Sequence, residues 1–327
     1  MFKVLITTVP FATYNKFPIE LLESAGVDFL INPLNKKLTE EELAKMVDDV
    51  DIIIAGTEII SEYVMQRAKK LKLISRVGIG LDGIDLLAAK RRNIKVSYTP
   101  DAPAPAVAEL TIGLLITLLR SVHVSNSQMH QGIWNRYFGK RIANTTIGII
   151  GVGRIGSRVL NRLPVFGTPR ILVNDIIKDS SLDRKFKLEW VDKETIYKES
   201  DVISLHVPLT VATKNMITLN ELKMMKSDAI LINTCRGGVI NETDLHDSMQ
   251  SDHLSGAAID VFEEEPYCGP LSKIERCILT SHMGSMSIDC RERMEIEATE
   301  EVVRFINEQP LKSEVPISEY DVQFQGL

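Results

Sequence analysis

The sequence predicts an α/β protein made of two doubly wound parallel-sheet domains. Two observations predict it: two series of short Val- and Ile-rich runs alternate with helical patterns, and a Pro-rich stretch separates the series. Strand alternating with helix argues for parallel sheets covered on both faces. In the first series the expected strands are 3–7, 28–31, 51–55, 73–77 and 95–98. Helical patterns lie between them at 19–24, 40–47, 61–69 and 84–91. Thr39 and Glu42 have the spacing of a capping box. The punctuating stretch is Tyr98-Thr99-Pro100-Asp101-Ala102-Pro103-Ala104-Pro105, where a domain junction is expected.

A single long helix is expected next, over about 106–129. The second series then supplies six strands, 146–150, 170–174, 202–206, 229–233, 256–260 and 277–280, and a final helix follows over 288–306. Six strands with helices between them fit the dinucleotide-binding arrangement.

The bulk numbers are those of a globular chain: 327 residues, 44% hydrophobic and 25% charged. Net charge is −6, and the densest basic runs, Lys69-Lys70 and Lys90-Arg91-Arg92, end helical patterns rather than forming a nucleic-acid footprint. No apolar run has the length of a membrane span, and the N-terminus reads as a first strand, so a cytoplasmic chain is expected. The four cysteines, Cys235, Cys268, Cys277 and Cys290, form no CxxC pair, so free thiols and no metal are expected.

Gly151-Val152-Gly153-Arg154-Ile155-Gly156 is a G-x-G-x-x-G. An apolar strand leads into it and an amphipathic pattern with Ile155, Val159 and Leu163 leads out. In that setting backbone N–H groups can approach a pyrophosphate. Asp175 lies at the end of the next strand, where an acid accepts hydrogen bonds from an adenosine ribose. A carboxylate there repels a 2′-phosphate, and Lys178 is the nearby cation, so NAD is expected over NADP.

Hydride transfer between a nicotinamide and an alcohol carbon also needs a proton donor or acceptor, and a substrate bearing a carboxylate needs a cation. His282 follows one strand, Arg236 another, and Glu265, just before Pro266, a third. Strand ends on this side of an open sheet are where ligands bind. A guanidinium at Arg236 suits a carboxylate, and Glu265 beside His282 would orient the imidazole. His206, in Leu205-His206-Val207-Pro208, suggests a cofactor-edge or structural role, because no Arg or Glu motif accompanies it.

With these residues in view, the sequence resembles the D-isomer-specific 2-hydroxyacid dehydrogenase family over nearly its whole length. The matching segments are GIIGVGRIG (148–156), SLHVP (204–208), LINTCRGG (231–238), GAAIDVFEEEP (256–266) and SHMGS (281–285). The resemblance is to the phosphoglycerate dehydrogenase-like branch. It implies that Arg236 binds the substrate carboxylate and oxo group, His282 is the acid/base, and Glu265 is its partner. It also implies cofactor contacts from Gly151, Gly153, Arg154, Ile155, Gly156, Asp175, His206, Pro208, Thr234, Cys235, Arg236, Asp260, His282, Gly284 and Ser285. Val77-Gly78-Ile79-Gly80 resembles the family loop whose N–H groups grip the carboxylate.

The resemblance further implies a flavodoxin-like substrate domain from residues 1–100 and 288–327. A Rossmann NAD-binding domain at 101–287 would be inserted in it, and a homodimer would form through the NAD-binding domains. At 327 residues the chain is expected to lack the regulatory ligand-binding domain that many such enzymes append. Relatives that use phosphoglycerate often carry a cation after the third strand. Here that segment is Ala55-Gly56-Thr57-Glu58, although Arg136, Lys140 and Arg141 could meet a phosphate. The substrate is therefore open between 3-phosphoglycerate and glyoxylate, hydroxypyruvate or D-lactate types. The intact Arg236, Glu265 and His282 set argues against the alternative of an NAD(H)-sensing binding protein without turnover.

Overall fold

The structure, a computed structural model, describes residues 1–324, so positions 325–327 of the expected first-domain segment lie outside the described residues. The chain forms two compact units, Met1–Pro103 with Met286 onward, and Ala104–Ser285.

In the first unit five parallel strands, β1 (Lys3–Ile6), β2 (Asp28–Ile31), β3 (Ile52–Ala55), β4 (Leu73–Arg76) and β5 (Lys95–Ser97), run in the order β2-β1-β3-β4-β5. The Ile-Ile-Ile-Ala run of β3 is buried throughout, as a central strand covered on both faces requires. The capping box forms: Glu42 N–H donates to Thr39 Oγ1 at 3.3 Å, and Thr39 N–H to Glu42 Oε2 at 2.9 Å. The Ile288–Ile306 helix packs on this sheet, and the buried Ser75 hydroxyl donates to its Ala298 carbonyl at 2.8 Å.

The second unit holds seven parallel strands: β6 (Thr146–Ile150), β7 (Arg170–Asn174), β8 (Leu188–Trp190), β9 (Val202–Leu205), β10 (Ile230–Asn233), β11 (Gly256–Ile259) and β12 (Cys277–Leu279). Their order is β12-β11-β10-β9-β6-β7-β8, so the direction of winding reverses between β6 and β9. Such a switch point opens a crevice at the carboxyl ends of the strands. The count of six strands is corrected to seven. The missed β8 is a three-residue edge strand, Leu-Glu-Trp, which pairs on one side only and so carries no buried apolar run.

The single helix expected over 106–129 is also corrected. It is two helices, Ala104–Leu119 and Val122–His130, bent by 66° at a break where Ser121 has φ +49°. The chain returning at Gly139-Lys140 explains the break. Lys140 N–H donates to the Leu119 carbonyl at 3.1 Å, taking the acceptor that the next helical turn would use. Among the described residues no single helix is long and apolar enough to cross a membrane.

Candidate active site

The glycine turn lies between β6 and the Arg154–Arg162 helix, beside the switch point. Gly151 has φ +93°, and a Cβ there would run into the His206 carbonyl; one on Gly156 would run into the Gly151 carbonyl. Around Gly153 the space is open, and no side chain caps the helix that starts after it. The N–H groups of that first turn, with Arg154 and Ile155 in it, suit an anion. These features fit a dinucleotide pyrophosphate.

Asp175 serves the same turn. Its Oδ2 accepts the Val152 N–H at 2.7 Å and its Oδ1 the Ile177 N–H at 3.0 Å. The carboxylate is therefore held in place by two backbone amides. Lys178 faces Asp183 at 4.0 Å. Asp175→Ser is expected to cut the preference for NADH over NADPH by roughly tenfold or more, measured as a ratio of kcat/KM values. It should also weaken NADH binding, since the Val152 N–H loses its acceptor.

His206 forms the floor under the glycines. Its Nε2 lies 2.9 Å from Ser204 Oγ, and its buried Nδ1 has no partner among the described residues. Burial pushes its pKa down to about 3, so the ring stays neutral and is unsuited to donate a proton near pH 7. Pro208 follows on the exposed side, its carbonyl accepting the Thr213 hydroxyl at 2.6 Å.

Arg236 is set by a turn that the Asn233 side chain builds at the end of β10. Asn233 Oδ1 accepts the Cys235 N–H at 3.0 Å, and its Nδ2 donates to the Arg236 carbonyl at 2.9 Å. The half-buried Arg236 guanidinium donates to the Cys235 carbonyl at 2.6 Å. Thr234 and Cys235 are buried. The Thr234 hydroxyl meets that of Thr111 at 2.9 Å, and burial pushes the Cys235 thiol pKa up.

His282 sits just beyond β12 with φ +51°. Asp260 holds its turn. The Asp260 carbonyl accepts the His282 N–H at 2.8 Å. Its carboxylate accepts the Thr280 hydroxyl at 2.6 Å and the Met283 and Gly284 N–H groups, each at 2.9 Å. Burial raises the Asp260 carboxyl above its ordinary range. Ser285 closes the turn, half-buried. His282 Nδ1 lies 2.9 Å from Glu265 Oε2, and Glu265 Oε1 accepts the Phe262 N–H at 3.1 Å. Since a carboxylate only accepts, Nδ1 donates and Nε2 is left for proton exchange.

The second unit thus contains Arg236, Glu265, His282 and every expected cofactor residue. The expected substrate loop, Val77–Gly80, lies in the first unit, just after β4. There Gly78 N–H donates to Thr99 Oγ1 at 2.8 Å, and Arg76 holds the Gly80 carbonyl at 3.1 Å and the Val77 carbonyl. The sequence reading missed Asn233, Thr111 and Glu242, whose Oε1 accepts the Glu263 N–H at 2.6 Å. Of these, Asn233 had a legible signal, an Asn closing a strand before a turn. Lys140, one of the cations considered for phosphate, is committed to Asp228 at 2.7 Å and Asp201 at 3.3 Å.

Comparison with known proteins agrees with this geometry. A family model described as D-isomer specific 2-hydroxyacid dehydrogenase, NAD binding domain, matches residues 112–284. A hydroxypyruvate reductase of Thermotoga maritima is 35% identical over 309 residues, 90% of this chain and 98% of that protein. A D-3-phosphoglycerate dehydrogenase of Methanocaldococcus jannaschii is 35% identical over 291 residues, 87% of this chain and 54% of that protein. The crystal structure of the TT0316 protein from Thermus thermophilus matches with a TM-score of 0.87 at 31% identity, covering 96% of this chain and all of that one.

Proposed function

Because the chain belongs to the D-isomer-specific 2-hydroxyacid dehydrogenase family and is an NAD-dependent enzyme, we propose that it reduces a small, unphosphorylated 2-oxo acid to the D-2-hydroxy acid, with hydroxypyruvate the leading candidate. The observation that carries the chemistry is the His282–Glu265 pair at 2.9 Å. When bound, NADH would supply the hydride for the α-carbon. Protonated His282 delivers the proton from Nε2 to the carbonyl oxygen, while Glu265 stabilises the imidazolium and holds its orientation. Arg236 pairs with the carboxylate and polarises the carbonyl. In the opposite direction His282 takes the hydroxyl proton.

Two observations favour the unphosphorylated substrate. The similarity to the hydroxypyruvate reductase extends over nearly all of that protein. After β3, where a phosphate would want a cation, stands Glu58, 2% exposed, accepting the Gly56 N–H at 2.9 Å and the Thr7 hydroxyl. The similarity to the phosphoglycerate dehydrogenase supports 3-phosphoglycerate as a second reading. A panel of glyoxylate, pyruvate, hydroxypyruvate and 3-phosphohydroxypyruvate with NADH separates the two. Hydroxypyruvate should exceed its phosphorylated counterpart in kcat/KM by about tenfold or more; the reverse order would establish the second reading. We also infer a homodimer, supported by the exposed Trp134 and Phe138 on the segment after the Val122–His130 helix. Sedimentation of the wild type and of Trp134→Asp tests it.

A further inference from the structure

Glu242 opens the Glu242–Gln250 helix, just after its cap Asn241. Its Oε1 accepts the Glu263 N–H at 2.6 Å. The preceding amide, Phe262 N–H, goes to Glu265 Oε1, whose partner oxygen takes His282 Nδ1. Two successive amides of one turn are divided between two carboxylates from different elements. Glu242, Glu263 and Glu265 gather around that turn. Burial, followed by repulsion from Glu263 and Glu265, holds the Glu242 carboxyl above its ordinary range. Of the three, Glu242 is half-buried and Glu263 and Glu265 are exposed.

We propose that Glu242 is a positioning residue for the reaction: by holding the Glu263 amide it fixes the turn from which Glu265 orients His282. It acts through Glu265 and touches no reacting atom. The charged groups facing it are Glu263 and Glu265, with Tyr267 beyond them. The elements packed against its helix carry Glu221, Lys223 and Lys273, and the buried carboxylate of Asp260 faces His282.

The test compares Glu242→Ala and Glu242→Gln with the wild type, following kcat and the KM for NADH in reduction of the best 2-oxo acid. Thermal unfolding is followed alongside. Glu242→Ala should lower kcat about tenfold, with the KM for NADH unchanged. Glu242→Gln keeps an acceptor for the Glu263 amide and should recover most of that loss. Rescue by Gln separates a role at the Glu263 amide from a general fold defect, because both variants lose the charge alike. A Glu242→Gln variant no more active than Glu242→Ala overturns the proposal, as does a loss of activity that only follows the folded fraction. The proposal rests on the roles given to Glu265 and His282. If His282→Gln stays active, that reading fails; if His282→Gln is inactive and both Glu242 variants behave as wild type, only this inference fails.

Discussion

His282→Gln is expected to lower kcat for 2-oxo acid reduction about a thousandfold while NADH still binds. The amide of Gln can keep a hydrogen bond to Glu265, which lies 2.9 Å from the imidazole it replaces. It has no ionisable proton to deliver, so orientation survives and proton transfer does not. No other histidine at a strand end can substitute. His206 is held neutral by burial and faces Ser204 beneath the glycine turn. NADH affinity, read from quenching of protein fluorescence, should stay within about twofold, because the residues proposed to hold the pyrophosphate and ribose follow β6 and β7. The residual activity should also lose the alkaline limb of the wild-type profile. A variant with wild-type kcat would remove His282 from the mechanism.

The second large effect concerns backbone. A Cβ on Gly237 would fall inside the contact distance of the Phe262 carbonyl and the Glu263 amide nitrogen. These are main-chain atoms in the turn that Glu265 and Glu242 hold, so no flexible side chain can give way. Gly237→Ala must therefore push apart the turn carrying Arg236 and the turn carrying Glu265. The expected cost is about 3 kcal/mol of stability, or on the order of 5–10 °C in Tm. The expected loss in kcat/KM of the remaining folded enzyme is about a hundredfold, since a displacement near 1 Å costs that much. Gly113→Ala is the control. Its Cβ would meet nothing within 4 Å, and it lies inside the Ala104–Leu119 helix, so it should unfold at or above the wild-type temperature. Equal behaviour of the two variants would refute the steric account.

Much of the fold was legible because parallel sheets demand short runs of Val and Ile, and the helices between them show a different period. The runs at 28–31, 146–150 and 170–174 and the helix at 288–306 fall where the pattern put them. The glycine turn was legible because its steric demand is local: close approach to His206 and to Gly151 itself excludes a side chain. Less legible was whatever depends on one-sided pairing or on a distant segment. β8 needs only an edge, so Leu-Glu-Trp carries no strand pattern. The helix break at Ser121 has no Gly or Pro to mark it, because its cause is Lys140, about twenty residues further along.

By itself the sequence determined the two-sheet α/β architecture, the dinucleotide turn and the set of Arg236, Glu265 and His282 at strand ends. Each follows from periodicity or from residue types confined to a short stretch. Only the tertiary structure decided how those side chains are held. Asn233 builds the turn under Arg236, Asp260 spends its carboxylate on the histidine turn, and Glu242 shares consecutive amides with Glu265. The physical reason is that a buried acceptor is satisfied by whichever donor the packing brings to it. Glu242 and Glu263 are far apart in sequence, and only the packed sheet brings them within hydrogen-bond distance.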